Sequence, residues 1–170
     1  ELSTLKLSER IADVEARIAA ACARSGRSRE DVGIVAVTKY VSTDTAAAAA
    51  QHGLRHMGEN RWPDAKEKVE SLKEGVEWHF IGRLQSRKVA QVIHHFSYIH
   101  SLARMSLAEE IEKRASAIEQ PMRCFIQVNV SGEETKAGVT SEELPTFAEK
   151  LDELSYIRVL GLMTMAPYVE

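Results

Sequence analysis

In "GIVAVTKYVS" (33–42) a lysine stands directly behind a run of apolar residues. Ile34, Val35, Ala36 and Val37 form the near-continuous pattern of a parallel strand covered on both faces. Lys39 follows at the C-terminal end of that strand. An ammonium at the rim of a core has two readings. It can snorkel, with its stem over apolar surface and its head in water. Alternatively, partial burial disfavours the charged form and leaves a neutral amine that acts as a nucleophile. Other polar residues gather at the ends of strand-like segments: Glu59–Asn60, His79, His100–Ser101, Asn129–Ser131 and Thr164. His94 and His95 are adjacent, and adjacent residues on a helix do not share a face, so no metal pair is expected there. Cys22 and Cys124 lack any CxxC or Cys/His spacing and read as buried free thiols in a reducing compartment.

The elements that would position these residues alternate along the chain. Leu7, Ile11, Val14, Ile18 and Cys22 are spaced by three or four, one stripe of an amphipathic helix that Gly26 closes. Strand-like runs follow over 33–38, 54–58, 76–82, 96–101, 122–130 and 156–165. Helical patterns lie between them over 43–52, 62–75, 86–95, 104–119 and 140–154. Ser42 or Thr43 is expected to cap the first of these helices and Ser86 the third. Pro63 is expected near N1 of its helix, and Pro145 in or just inside the first turn of its own. Strict β/α alternation implies a parallel sheet with right-handed crossovers. The first strand carries no GxGxxG, the usual mark of an open dinucleotide-binding fold, so a barrel with its site at the C-terminal strand ends is the better expectation.

Composition narrows the function classes. The 170 residues are 44% hydrophobic and 28% charged with net charge -3, which excludes a disordered or fibrous chain. The mixed charge gives no electrostatic case for nucleic acid or an anionic membrane, and the "RLQSRK" basics read as a solvated helix start. No apolar stretch approaches the roughly 20 residues that span a bilayer. No signal peptide is visible, so a cytoplasmic protein is expected.

The motifs "AVTKYVS", "HMGENRWPDA", "WHFIGRLQSRK", "VNVSGEETKAG" and "GLMTMAP" resemble the pyridoxal phosphate homeostasis protein family, the alanine racemase N-terminal-domain-like proteins. The resemblance covers nearly the whole chain. It implies an α/β fold of (β/α)8 TIM-barrel type, a fold-type III protein for pyridoxal 5′-phosphate (PLP), with an extra N-terminal helix. Residues 1–170 then form a single domain with about six of the eight strands. The family's phosphate cradle would lie beyond "GLMTMAP". The resemblance makes Lys39 the Schiff-base lysine and adds Asn60, His79, Asn129, Met163 and Thr164 as cofactor-binding candidates, with no metal and no catalytic residue. Each has a plainer reading beside it: Asn60 as an Asx-type cap, His79 as a core histidine bonded to backbone, Met163 as gap filling. Lys136 is a second amine in the "NVSGEETKAG" loop, beside Glu133 and Glu134, and reads most simply as solvated.

The implied function is a monomeric PLP carrier in cofactor homeostasis without turnover, whose partners would be PLP itself and apo PLP-dependent enzymes. The alternative is a PLP-dependent amino-acid racemase. A second base would then have to come from near Lys39, and Tyr40 points the other way if the strand continues. A Schiff-base aldolase without PLP and a plain interaction module are the remaining readings.

Overall fold

The computed structural model describes residues 4–134 and 136–167. Thr135, in the "VNVSGEETKAG" motif, lies outside them. Two compact units result. Unit one holds the chain up to Gly58 together with Asp64–Glu77. Unit two holds Glu59–Pro63 and the chain from Trp78 onward.

Unit one opens with α1 (Thr4–Ser25). Cys22 is buried, and Leu7, Ile11 and Ile18 are half-buried, while Val14 departs from the expected stripe and stays exposed. Gly26 takes φ 72° and lets the Arg27 N–H return to the Cys22 carbonyl, which closes the helix. Arg29 then grips α1 with a two-toothed fork: Nε and Nη2 donate to the two oxygens of Glu15 at 2.9 and 2.7 Å. This hydrogen-bonded guanidinium holds the Glu15 carboxyl below the usual range.

Strand β1 (Ala36–Val37) pairs in parallel with β2 (His56–Glu59), Ala36 opposite Met57 and Val37 opposite Gly58. It is shorter than the apolar run implies. Val37 is exposed, so the run is not covered on both faces as its composition led us to expect. Helix α2 (Thr43–Gln51) starts where the sequence placed it, with Ser42 Oγ accepting the Thr45 N–H at 3.1 Å. Helix α3 (Trp62–Ser71) contributes buried Ala65, Lys68 and Val69 to this unit.

Unit two carries β3 (Glu77–Phe80) from Trp78 onward, with β4 (Tyr98–Leu102), β5 (Met122–Gln127) and β6 (Ile157–Met163), paired in parallel. His79 stands opposite Tyr98, Ile99 opposite Cys124, and Cys124 opposite Val159. Between them run α4 (Val89–Ile93), α5 (Met105–Ala117) and α6 (Leu144–Asp152). Leu107, Ala108 and Ile111 of α5 are fully buried in the same core as Leu102, Met122 and Ile126. Each large side chain so buried stabilises the fold by roughly 1.5–3 kcal/mol. Glu112 on the same helix accepts the Ser155 and Tyr156 N–H groups at 2.9 and 2.7 Å and holds the entry to β6.

Two helix starts differ from expectation. Ser86 is not a cap: it opens a 3-10 turn (Ser86–Lys88) whose cap position is Gln85, without a side-chain bond. Helix α6 begins at Leu144 because Thr140 and Glu143 exchange side-chain bonds to each other's N–H groups at 3.1 Å, a capping box ahead of the helix. Pro145 falls in its first turn, as expected.

Neighbouring strands follow the chain, β1-β2-β3-β4-β5-β6. An open doubly wound sheet reverses its strand order at a switch point. This order has no reversal, in keeping with the barrel expectation. Among the described residues no helix is long and apolar enough to cross a membrane.

Candidate functional site

In unit one the site is a turn. The β1 ladder ends at Val37, and the Thr38 N–H still reaches the Gly58 carbonyl at 3.1 Å. The Val41 N–H then folds back to the Thr38 carbonyl at 3.2 Å, so residues 38–41 close a β-turn with Lys39 and Tyr40 at its centre. Tyr40 takes φ 70°, a left-handed conformation normally left to glycine. Its side chain is 95% exposed. Strand alternation therefore does not govern Tyr40, because the strand has already ended. Lys39 is exposed as well, so the half-buried amine expected from the sequence is not what this turn presents. Its Nζ lies 5.7 Å from the centre of the Tyr40 ring, and among the described residues it makes no hydrogen bond or ion pair.

Beneath the turn sits Lys68 of α3, 6% exposed. Its Nζ donates to the Thr38 carbonyl at 2.7 Å and to the Val41 carbonyl at 3.1 Å. The sequence places this lysine among the charges of "DAKEKVE", where Lys66 is exposed and Lys68 is not. Only the fold distinguishes them.

Unit two supplies rings and amides. His79 is buried, and its Nδ1 shares a hydrogen bond with His100 Nε2 at 2.8 Å. The His79 ring lies flat on Tyr98, centroids 4.0 Å apart and planes 2° apart. His100 meets Phe125 at 4.6 Å. Arg123 donates to the Tyr98 hydroxyl at 2.6 Å, with its guanidinium 4.9 Å from the ring centre. His79, Tyr98, His100, Arg123 and Phe125 thus form one chain of contacts across β3, β4 and β5. Burial pushes the His100 imidazole below its usual pKa, toward the neutral form. The sequence reading offered a bond from His79 to backbone. The structure gives it a second imidazole, and Tyr98, Arg123 and Phe125 were not among the expected site residues.

Asn60 follows β2 in the "GEN" corner. The Ile81 N–H bonds the Glu59 carbonyl at 3.0 Å, and Gly82 passes so close that a Cβ there would fall 2.6 Å from the Asn60 carbonyl oxygen. Among the described residues the Asn60 side chain makes no hydrogen bond, so it does not act as the Asx-type cap offered as its plainer reading.

Asn129 is the opposite case. Its Nδ2 donates to the carbonyls of Glu133 and Lys136, and its Oδ1 accepts from the N–H and hydroxyl of Ser131. Every donor and acceptor of the amide is spent on shaping its own loop. Gly138, at φ 121°, packs so closely that a Cβ there would fall 2.6 Å from the Asn129 nitrogen. Lys136 is exposed and pairs with Glu133 at 3.5 Å, a solvated loop lysine. Met163 ends β6 half-buried, opposite Gln127, and Thr164 Oγ1 donates to the Val128 carbonyl at 3.1 Å. Thr164 therefore ties the end of β6 to the end of β5. Asn129, Met163 and Thr164 come together at those two strand ends; Lys39 alone of the expected residues belongs to unit one.

These corners carry the motifs of a known family. The profile described as "Alanine racemase, N-terminal domain" matches residues 12–170. A pyridoxal phosphate homeostasis protein of Aquifex aeolicus is 43% identical over 163 residues, which cover 95% of this chain and 72% of that protein. The chain belongs to this family. Two solved structures agree. A protein of unknown function from Bifidobacterium adolescentis superimposes with a TM-score of 0.90 at 30% identity, covering 98% of this chain and 72% of that one. PipY of Synechococcus elongatus, solved with PLP bound, gives 0.81 at 29% identity, covering 96% and 72%. The lysine and the "GEN" corner, both singled out from sequence, lie at or just past the ends of β1 and β2, and the "WHFIG" run forms most of β3. The His79–His100 bond joins residues 21 apart and becomes visible only with the strand register.

Proposed function

We propose that this chain binds PLP through Lys39 and holds the cofactor for delivery rather than turning over an amino acid. One observation carries this reading: the Lys39 amine stands at the C-terminal end of β1, exposed and bonded to no other described group. Its family membership and the PLP-bound PipY relative support the cofactor's identity. Unit two keeps polar groups of the kind that the edge of the PLP ring takes: the Asn60 amide makes no hydrogen bond, and the buried Ser101 hydroxyl has no hydrogen-bond partner, among the described residues. When bound, PLP brings an aldehyde that a neutral lysine amine bonds with loss of one water.

The chain's own residues then have distinct tasks. Lys39 presents its amine to solvent, and no described acid pairs with it. Asn60 can donate to or accept from a ring substituent. His79 is kept in place by His100 and Tyr98. Met163 offers an apolar wall, while Thr164 and Asn129 hold the strand ends and loop around it. A racemase needs a second acid or base fixed against the substrate. Tyr40, the nearest phenol in sequence, is 95% exposed and makes no hydrogen bond among the described residues, which favours the carrier over the racemase. Apo PLP-dependent enzymes are the natural recipients.

The test is to incubate the natural full chain and its Lys39→Ala variant with PLP, record the visible absorbance, reduce with borohydride and map the modified peptide. A borohydride-stable adduct on Lys39, with no alanine interconversion, supports the carrier. Interconversion that disappears in Lys39→Ala restores the racemase. An unmodified Lys39 refutes the assignment.

A further inference from the structure

We propose that Lys68 is the positioning residue of the lysine turn: by bonding the carbonyls of Thr38 and Val41, it fixes the backbone on both sides of Lys39 and Tyr40 and so sets where the Lys39 amine is presented. The inference rests on reading Lys39 as the PLP lysine and extends that reading to a residue nearly thirty positions away on another element.

Three observations converge. First, the Lys68 ammonium is buried, which is costly unless its donors are used. Two of its three donors go to backbone carbonyls that bracket the turn, at 2.7 and 3.1 Å. Charge-assisted bonds of this kind are stronger than neutral ones. Secondly, the turn needs outside support. Tyr40 sits at φ 70° without being glycine, and its side chain is out in water, so no packing of its own offsets the strain. The Thr38 carbonyl accepts both the Val41 N–H and the Lys68 ammonium, so a single oxygen ties the internal bond of the turn to the external clamp. Thirdly, the clamp is mounted on a helix. Lys68 lies between buried Ala65 and Val69 on α3, and a group on a packed helix is placed more accurately than one on a loop. Lys39 itself is exposed and unpaired among the described residues, so its aim comes from the backbone beneath it rather than from its side chain's own contacts.

The test uses Lys68→Met and Lys68→Arg in the natural full chain, with two readouts. Amide hydrogen exchange at Val41 reports the turn directly. In Lys68→Met it should quicken about tenfold or more, while Ala46, whose N–H bonds Ser42 in α2, keeps its protection. The rate at which PLP becomes borohydride-trappable on Lys39 should fall about tenfold or more in the same variant. Non-covalent PLP uptake, compared between Lys39→Ala and Lys39→Ala/Lys68→Met, should not change. General loosening would weaken both uptake and trapping, whereas mispositioning lowers trapping alone. Lys68→Arg, which can still donate to both carbonyls, should recover much of the rate.

Val41 exchange and Lys39 trapping indistinguishable from the unsubstituted chain in folded Lys68→Met would overturn the proposal and leave the PLP reading standing. Faster Val41 exchange in a chain that never modifies Lys39 would do the reverse. If Lys68→Met does not fold, Lys68→Gln, which keeps a donor of shorter reach, is judged by the same two readouts.

Discussion

The two units hold their chemical groups in opposite ways. In unit one the reactive candidate, Lys39, has a side chain bonded to nothing else described, while the backbone around it is clamped at Thr38 and Val41 by a buried cation. In unit two the side chains hold one another: His79 to His100, Tyr98 under His79, Arg123 on Tyr98, Phe125 against His100. The contrast separates two needs. A residue that must form a new bond is best held by its backbone, so that its functional atom stays uncommitted. Residues that must form a surface can be held through the atoms they present, because they need not move.

Four perturbations sharpen or break this contrast. The largest effect concerns Cys124, on β5 between Arg123 and Phe125. Burial pushes its thiol up to about 12 from an ordinary value of 9.0. If unit two is as rigid as its ring contacts imply, labelling of Cys124 in the folded chain should run at least about a thousandfold slower than in the unfolded chain. Rapid labelling under native conditions would mean that the strand carrying the rings opens readily.

Next is Gly138→Ala. The new Cβ would meet the Asn129 nitrogen at 2.6 Å from a backbone at φ 121°. We expect a loss on the order of 2 kcal/mol or more, read by denaturant unfolding. A tolerated alanine would show that the Asn129 loop is held less firmly than its hydrogen bonds imply.

His100→Phe comes third, at about 1–3 kcal/mol, because it removes the imidazole that bonds the buried His79. It carries a pH signature. Burial lowers the pKa of folded His100, so the unfolded chain takes up the proton first as the medium turns acid. The unsubstituted chain should therefore lose stability as the pH falls through about 6.5, and His100→Phe should lack that part of the loss. An unchanged pH profile would detach His100 from it.

The smallest effect belongs to unit one. Tyr40→Gly relieves the left-handed strain but adds freedom to the unfolded chain, for a net change below about 1 kcal/mol. Tyr40→Ala gains nothing, since alanine meets the same strain. Melting temperatures in the order Gly above Ala would support a turn set by the backbone.

Much of the architecture was legible before any coordinates. Apolar runs and glycine or serine punctuation located all six strands and the helices between them, because each feature is local. What failed was non-local. Val37 reads as doubly covered, yet it stands half exposed. Ser86 reads as a cap, yet the chain enters α4 through a 3-10 turn. Within the site, Lys39 stood out because an amine interrupts an apolar pattern. Lys68 did not, because a charge in a charged helix interrupts nothing. Asn60 and Asn129 looked alike from sequence; one keeps its amide free among the described residues and the other commits it entirely to a loop. The histidine pair depended on the register of β3 against β4, which no spacing within either strand encodes.

The strand order has a consequence for how the protein is made. Each strand finds its hydrogen-bonding neighbour one β/α unit earlier or later in the chain. Contacts between elements close to one another in sequence form quickly, and a chain emerging from the ribosome presents its N-terminal part first. Synthesis can therefore lay β2 beside β1 and go on in order, each new strand meeting a partner already in place. The Lys39 turn would receive its Lys68 clamp early in this sequence, before the histidines of β3 and β4 had left the ribosome.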